Sequence, residues 1–341
     1  MDVREDKILI ILLGAIGDVL LATPSIAGFK KKYPKSNISF LVGKWSAPIL
    51  YNNPKVDHLV ESDDASFYEK QVLPLLTLIR RLRKEKYDLV FCLQRSRIWS
   101  LFMALVGAKA GFRIGKKQNE RVQHKVERFL SVFQLFDPEI KAGELEIFPD
   151  QKDEAMAESI INKKRVVALC VGGGHNPGTR TRRKRWPEAR FVELAKKIKQ
   201  SSRAELLFVG GESDKNATAR VISKLDFKVI DKTGETTLLQ LAALLKRSLA
   251  LVTGDTGPMH IGIAAKTTVI ALMGPTDPKQ TGPFGNNAVV LYENLSCSPC
   301  FKDDRSFDEC KLNQKCMNNI TVDAVYSALR TVLKNNQAAI K

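Results

Sequence analysis

Three stretches of the chain join glycines, a charged side chain and the start of a helix, a pattern that gathers backbone N–H groups and an ionised group at one point. The first is Leu13-Gly14-Ala15-Ile16-Gly17-Asp18-Val19-Leu20. Gly14 and Gly17, three residues apart, let the backbone turn tightly and approach a ligand. The spacing differs from the G-x-G-x-x-G of dinucleotide-binding turns. Asp18, near the helix start, serves either as a cap or as an ionised general base that takes a proton from a hydroxyl group.

The second stretch is Gly172-Gly173-Gly174-His175-Asn176-Pro177-Gly178, followed by Thr179–Trp186 with its run of cations through Lys184 and Arg185. A glycine-rich loop after a strand cradles an anion with its N–H groups, and the cations behind it neutralise the charge. A solvated basic loop or a nucleic-acid patch reads the same run equally well, and His175 reads as a polar loop residue. The third stretch is Thr253-Gly254-Asp255-Thr256-Gly257-Pro258-Met259-His260, followed by Gly274-Pro275-Thr276-Asp277-Pro278. Asp255 and Thr256 offer caps, and Pro258 suits a first helical turn. The N–H groups of Thr256 and Gly257 then face a pocket with the helix dipole behind them, which suits a diphosphate. His260 lies on that helix as either a core residue or a contact.

Alternating apolar runs and amphipathic stretches must position these residues, which is the pattern of parallel α/β units. Strands are expected over Lys7–Leu13, Asn37–Val42, Asp88–Leu93, Gly111–Ile114, Arg165–Val171, Glu205–Val209, Lys228–Asp231, Ala250–Thr253 and Thr268–Met273. Helices are expected over Asp18–Tyr33, Phe67–Lys86, Pro187–Ser201, Ser213–Leu225, Thr237–Arg247, Pro258–Ala265 and Val322–Lys334. Pro74 makes the second of these kinked or late to begin. The turn-rich segment 137–164, which includes a charged helix, separates a first domain, residues 1–160, from a second, residues 161–341. The fold class expected is α/β, with two Rossmann-like doubly wound domains facing a central cleft and ligands at the carboxyl ends of the strands.

The 341 residues suit two domains, and 44% hydrophobic residues allow each a core. The formal charge is +17, and 13 of the basic residues fall between 163 and 203, opposed only by Glu188 and Glu193. Such a field attracts phosphates, anionic lipid headgroups or nucleic acid. Asp2, Glu5 and Asp6 spoil the charged start of a signal peptide, and no run of 18 uncharged apolar residues follows, so a cytoplasmic location is expected. Cys92 and Cys170 lie within apolar runs and read as buried thiols. Cys297-x2-Cys300-x9-Cys310-x5-Cys316 gathers four thiols whose C-x5-C half departs from zinc-ribbon spacing. These read as a metal site or as reduced thiols packing a loop, the latter preferred.

Gly14–Leu20, Lys184-Arg185-Trp186-Pro187, Gly210-Gly211-Glu212, Asp255–His260 and Gly274–Pro278 occur in the order seen in glycosyltransferase family 9, the ADP-heptose:lipopolysaccharide heptosyltransferases. The resemblance runs from about residue 7 to 333. It implies the GT-B fold, with acceptor on the first domain and donor on the second. It also implies that Asp18 is the catalytic base, that Lys184 contacts the donor diphosphate and that Glu212 lies near the nucleoside. Asp255 then faces the donor sugar, with main-chain donors on Thr256 and Gly257; Gly14, Gly17 and His260 complete the substrate-binding set.

The chemistry implied is an inverting displacement without metal or cofactor. The expected partners are an ADP-heptose-like donor, a glycolipid acceptor and an anionic membrane surface touched peripherally, with the protein a monomer. A nucleic-acid-binding protein and a sugar-nucleotide epimerase are the rival readings. Against the first, aromatic residues make up only 7%, and no nucleic-acid motif accompanies the charge.

Overall fold

A computed structural model describes residues 6–63, 72–115, 123–173, 182–301, 310 and 312–338. The chain forms two compact units, Met1–Phe148 and Pro149–Lys341. The helix at 151–161 packs with the second unit, against the helix at 238–246.

In the first unit the elements run β1 (Lys7–Leu12), α1 (Ile16–Lys32), β2 (Asn37–Gly43), β3 (His58–Ser62), α2 (Val72–Lys84), β4 (Leu89–Cys92), α3 (Ile98–Val106), β5 (Ala110–Arg113) and α4 (Lys125–Gln134). The sheet is parallel in the order β3-β2-β1-β4-β5. β1 is buried from Ile8 onward because it is flanked by strands on both sides and covered on both faces. The described part of α2, Val72–Lys84, contains Pro74.

α1 carries Pro24 in its interior, which removes the ladder donor to Leu20. The hydroxyl of Thr23 donates to Leu20 O at 2.7 Å and fills that vacancy. A few residues on, the segment 140–143 crosses the helix so closely that a Cβ on Gly28 would sit 1.8 Å from Lys141 O. Phe29, Phe91 and Phe133 pack between α1, β4 and α4, with Phe91 and Phe133 stacked at a centroid distance of 4.4 Å and Phe29 edge-on to Phe91. On the other sheet face, α2 and α3 share one cluster that includes Ile79, Leu82, Trp99, Phe102 and Val106.

In the second unit the order is α5 (Gln151–Ile161), β6 (Val166–Cys170), α6 (Glu188–Ser201), β7 (Glu205–Phe208), α7 (Lys215–Ile222), β8 (Ile230–Asp231), α8 (Leu238–Lys246), β9 (Ala250–Gly254), α9 (Gly257–Ala264), β10 (Val269–Met273), α10 (Pro278–Thr281), β11 (Ala288–Tyr292), α11 (Lys315–Asn318) and α12 (Val322–Ala338). Its parallel sheet is ordered β11-β10-β9-β6-β7-β8. α12 lays Val325, Leu329 and Leu333 into the same core as Trp186 and Phe191. The Trp186 indole donates to Ile320 O at 2.8 Å, and Arg190 donates to the same carbonyl. Among the described residues no helix is long and apolar enough to cross a membrane.

Candidate active site

Each sheet reverses its winding once, between β1 and β4 in the first unit and between β6 and β9 in the second, and such switch points open a crevice beyond the strand ends. The sequence-selected residues gather at both. In the first unit, Leu13 O at the end of β1 accepts from Gln94 Nε2 at 2.8 Å, which ties together the two loops that bound the crevice. Asp18 is the third residue of α1, behind an N-cap at Ala15 that has no side-chain cap bond. Instead of capping, its Oδ1 accepts from Lys125 Nζ at 2.7 Å, while Oδ2 makes no hydrogen bond among the described residues. A Cβ on Gly14 would press 3.0 Å from Asp18 Cβ, so glycine keeps room for that carboxylate. Gly17 lies beside it in the same turn. The site is thus an oriented carboxylate with one open oxygen at the positive end of a helix.

Lys125 carries no local sequence signal. It opens α4, where the His124 side chain accepts from Val126 N at 3.2 Å, and it reaches Asp18 across 107 residues of chain.

In the second unit, Lys184 closes a short 3-10 turn at Arg182–Lys184, and its Nζ lies 2.9 Å from Asp255 Oδ2. The side chains are 15% and 7% exposed. Gly254 ends β9 where a Cβ would meet Lys184 O at 3.0 Å, so glycine permits this approach. Burial pushes the Asp255 carboxyl up, but the charges of Lys184 and His260 and the Lys184 hydrogen bond outweigh it and hold the group below the usual carboxylate range. His260 is buried on α9 beside it.

Thr256 is the N-cap of α9 by its backbone, with its hydroxyl 3.2 Å from Thr253 Oγ1 rather than on the helix. The N–H groups of Thr256 and Gly257 have no acceptor among the described residues. Lys184, Asp255, Thr256, Gly257 and His260 therefore converge, and the lysine beside backbone N–H groups at a helix start is an arrangement suited to an anion. Glu212 stands apart, exposed after β7 and paired with Lys215 at 2.7 Å.

Two neighbours escaped the sequence reading. Asp214, buried at 2% exposure, accepts from Gly211 N at 3.1 Å and faces Arg185 at 3.8 Å. A Cβ on Gly172 would fall 1.8 Å from its Oδ1, which explains that glycine. An acid three residues after a glycine at a helix start, whose carboxylate takes the Gly211 N–H, was the available signal. Phe301 holds its ring 4.9 Å from Lys184 Nζ, and its N–H and that of Cys300 both donate to Pro275 O. The Gly274–Pro278 motif thus supports the lysine through the cysteine-rich segment.

Residues 174–181, including His175, lie outside the described residues. Cys92 and Cys170 are buried thiols, as expected, and burial pushes both up to about 12. Burial also raises Cys300 and Cys316, with the other cysteines of the group adding to it. Among the described residues no three His, Cys, Asp or Glu side chains are placed to hold a metal ion. Within the basic run 163–203, Lys164 pairs with Glu205, Lys184 with Asp255, Arg185 with Asp214 and Lys197 with Asp323, and Arg190 donates to Ile320 O.

Two Rossmann-like sheets with polar clusters at their switch points are the architecture of a GT-B nucleotide-sugar glycosyltransferase. The sequence model of Glycosyltransferase family 9 (heptosyltransferase) matches residues 75–311, and the chain belongs to that family. It is 26% identical over 338 residues to lipooligosaccharide heptosyltransferase 2 of Campylobacter jejuni, covering 97% of this chain and 99% of that protein. In fold it is similar to a family 9 glycosyl transferase from Veillonella parvula, with a TM-score of 0.82 at 22% identity over 98% of this chain and 99% of that one. The E. coli ADP-heptose lipopolysaccharide heptosyltransferase II gives a TM-score of 0.75 at 21% identity over 97% and 99%.

Proposed function

We propose that the chain transfers a heptose from ADP-heptose to the inner core of a lipopolysaccharide or a similar glycolipid, with inversion at the anomeric carbon. The first unit holds the acceptor, where Asp18 Oδ2 takes the proton of the attacking hydroxyl. The oxygen of that hydroxyl bonds to the anomeric carbon as the bond to the diphosphate breaks, and the nucleoside diphosphate leaves with the electron pair. Lys184 and the N–H groups of Thr256 and Gly257 neutralise the leaving group, Asp255 and His260 face the sugar, and Glu212 stands by the nucleoside. Charge stabilisation of this kind is commonly the largest contribution to rate, and a positioned base adds about 10²–10⁴.

The observation that carries the reading is the Lys184–Asp255 pair beside two N–H groups at the start of α9 that have no acceptor among the described residues. The names of the relatives supply the sugar and the nucleotide. The enzyme works in the cytoplasm as a monomer, in peripheral contact with an anionic membrane that carries its acceptor.

A thermal-shift screen of nucleotide sugars tests the donor. A ligand at 100 times its dissociation constant adds about 2.7 kcal/mol of stability. ADP-heptose raising the unfolding temperature more than UDP- or GDP-sugars supports the assignment; a larger rise with another nucleotide refutes it. An acceptor-dependent product separates transfer from epimerisation.

A further inference from the structure

Ten large apolar side chains are exposed among the described residues, and five of them lie on two neighbouring helices of the first unit. On α3, Trp99, Phe102 and Val106 face the core while Ile98, Leu101 and Leu105, at the same i, i+3, i+7 spacing, face water at 66%, 61% and 41% exposure. On α2, Ile79 and Leu82 face the core while Leu73 and Leu76 are exposed at 78% and 42%. Both helices pack on one face of the sheet and touch each other, so their outer stripes lie side by side. Scattered exposed leucines need no explanation, but a contiguous aliphatic group of this kind does.

Its surroundings indicate the occupant. Neither helix contains an acidic residue, and from 72 to 109 eight basic residues face only Glu85 and Asp88. Arg80 and Arg83 continue the stripe of Leu73 and Leu76 one and two turns on, and Lys84 follows them. Exposed Arg97 precedes α3, and Gly107 at its far end lies close to Arg83 Nε. Cations thus rim an aliphatic surface at both ends, an arrangement in which long basic side chains reach headgroups while leucines enter the acyl boundary. A second copy of the chain is a poor occupant, because a two-fold interface would set these arginines against one another.

We propose that the outer face of α2 and α3 is a membrane-docking surface, seated on an anionic bilayer with Leu73, Leu76, Ile98, Leu101 and Leu105 in the interface and Arg80, Arg83, Lys84 and Arg97 on the headgroups. The surface stands on its own observations, and it assigns the membrane contact of the proposed transferase to the first unit rather than to the basic run 163–203, where Lys164, Lys184, Arg185 and Lys197 are held in ion pairs.

Co-sedimentation with vesicles of phosphatidylglycerol and phosphatidylethanolamine, against pure phosphatidylcholine, tests it without donor or acceptor. The full chain binds the anionic vesicles, and binding weakens as salt rises. Ile98→Asp with Leu101→Asp lowers the partition at least about tenfold. Arg80→Glu with Arg83→Glu lowers it further, each lost cation counting for roughly fivefold. All variants keep the wild-type unfolding temperature, since the substituted side chains are exposed, and keep turnover on a water-soluble, deacylated acceptor.

Wild type ignoring anionic vesicles overturns the proposal. So does wild-type binding by Ile98→Asp/Leu101→Asp combined with loss of binding in Lys196→Glu/Lys199→Glu, which moves the contact to the second unit. A wild-type dimer that Ile98→Asp/Leu101→Asp converts to monomer overturns it too, by assigning the surface to self-association. Vesicle binding lost as expected in a protein that transfers no sugar to any acceptor leaves the surface standing and removes the transferase reading.

Discussion

Lys184→Ala separates two roles that one side chain plays in the second unit. In the ligand-free protein its ammonium offsets Asp255, which is only 7% exposed. Removing one partner of a fully buried pair costs about 3–5 kcal/mol; here the lysine is 15% exposed and His260 remains beside the carboxylate. A loss of about 2 kcal/mol is the discounted expectation, equivalent to roughly 4–8 °C of unfolding temperature for a unit of this size.

With ligand, the lost lysine–phosphate hydrogen bond costs about 1.5–3 kcal/mol, or roughly 10–150-fold in affinity for a nucleoside diphosphate. Affinity for the bare nucleoside hardly changes. Adding Asp255→Asn to Lys184→Ala removes the stranded charge and restores most of the stability without restoring diphosphate affinity. Calorimetry with both ligands, and thermal unfolding of the single and double variants, reads the two effects apart. Equal affinity losses for nucleoside and diphosphate would place Lys184 off the phosphates, and a double variant that regains diphosphate binding would refute the reasoning as well.

Asp18→Asn lowers kcat by about 10²–10⁴ at unchanged donor affinity; turnover within about fivefold of wild type at saturation removes Asp18 as the base. Lys125→Ala lowers kcat by a smaller factor and Lys125→Arg largely restores it, because the lysine orients Oδ1 rather than touching the acceptor; no difference between the two variants discards that role. Gly28→Ala destabilises the first unit despite the helix propensity of alanine, worth about 1 kcal/mol, because its Cβ would lie 1.8 Å from Lys141 O; an unchanged urea midpoint would mean that the crossing segment gives way freely. Asp137 is held down to about 2 by hydrogen bonds from Lys32, Tyr33 and the Glu139 N–H. A depressed acid stabilises the fold above its ordinary value and loses that contribution as pH falls from about 4 toward 2, so Asp137→Asn should unfold more easily than wild type at pH 7 and approach it near pH 2; parallel curves across that range contradict the assignment.

The strands that bear the site were legible because they are buried on both faces: β1, β6, β9 and β10 are continuous apolar runs. The turns after β1 and β9 were legible through glycine and proline. β3 was missed because His58–Ser62 mixes polar and apolar residues, and β11, the short run Ala288–Tyr292 at the sheet edge, was missed as well. α3 hid for the opposite reason: Ile98–Val106 is apolar on its outer face as well as its inner one, which erases the helical period. The Asp18–Lys125 and Lys184–Asp255 pairs join residues 107 and 71 apart in the chain, and local pattern holds no record of such partners. The basic run was visible as charge, but its internal pairing depends on the fold.

The anchoring of Trp186 and Arg190 on Ile320 O, with Val325, Leu329 and Leu333 in the same core, imposes an order in time. As the chain emerges from the ribosome, every contact within the first unit is possible once residue 148 is free. The second sheet gains its last strand, β11, by residue 292, yet its core stays open and Trp186 stays without its acceptor until residues beyond 320 follow. At roughly 5–20 residues per second, the interval between release of residue 148 and release of Leu333 lasts about 10–40 s. Through it Lys184, two residues from the unanchored tryptophan, lacks a fixed position. The oriented carboxylate of the first unit is therefore in place well before the anion site of the second can form.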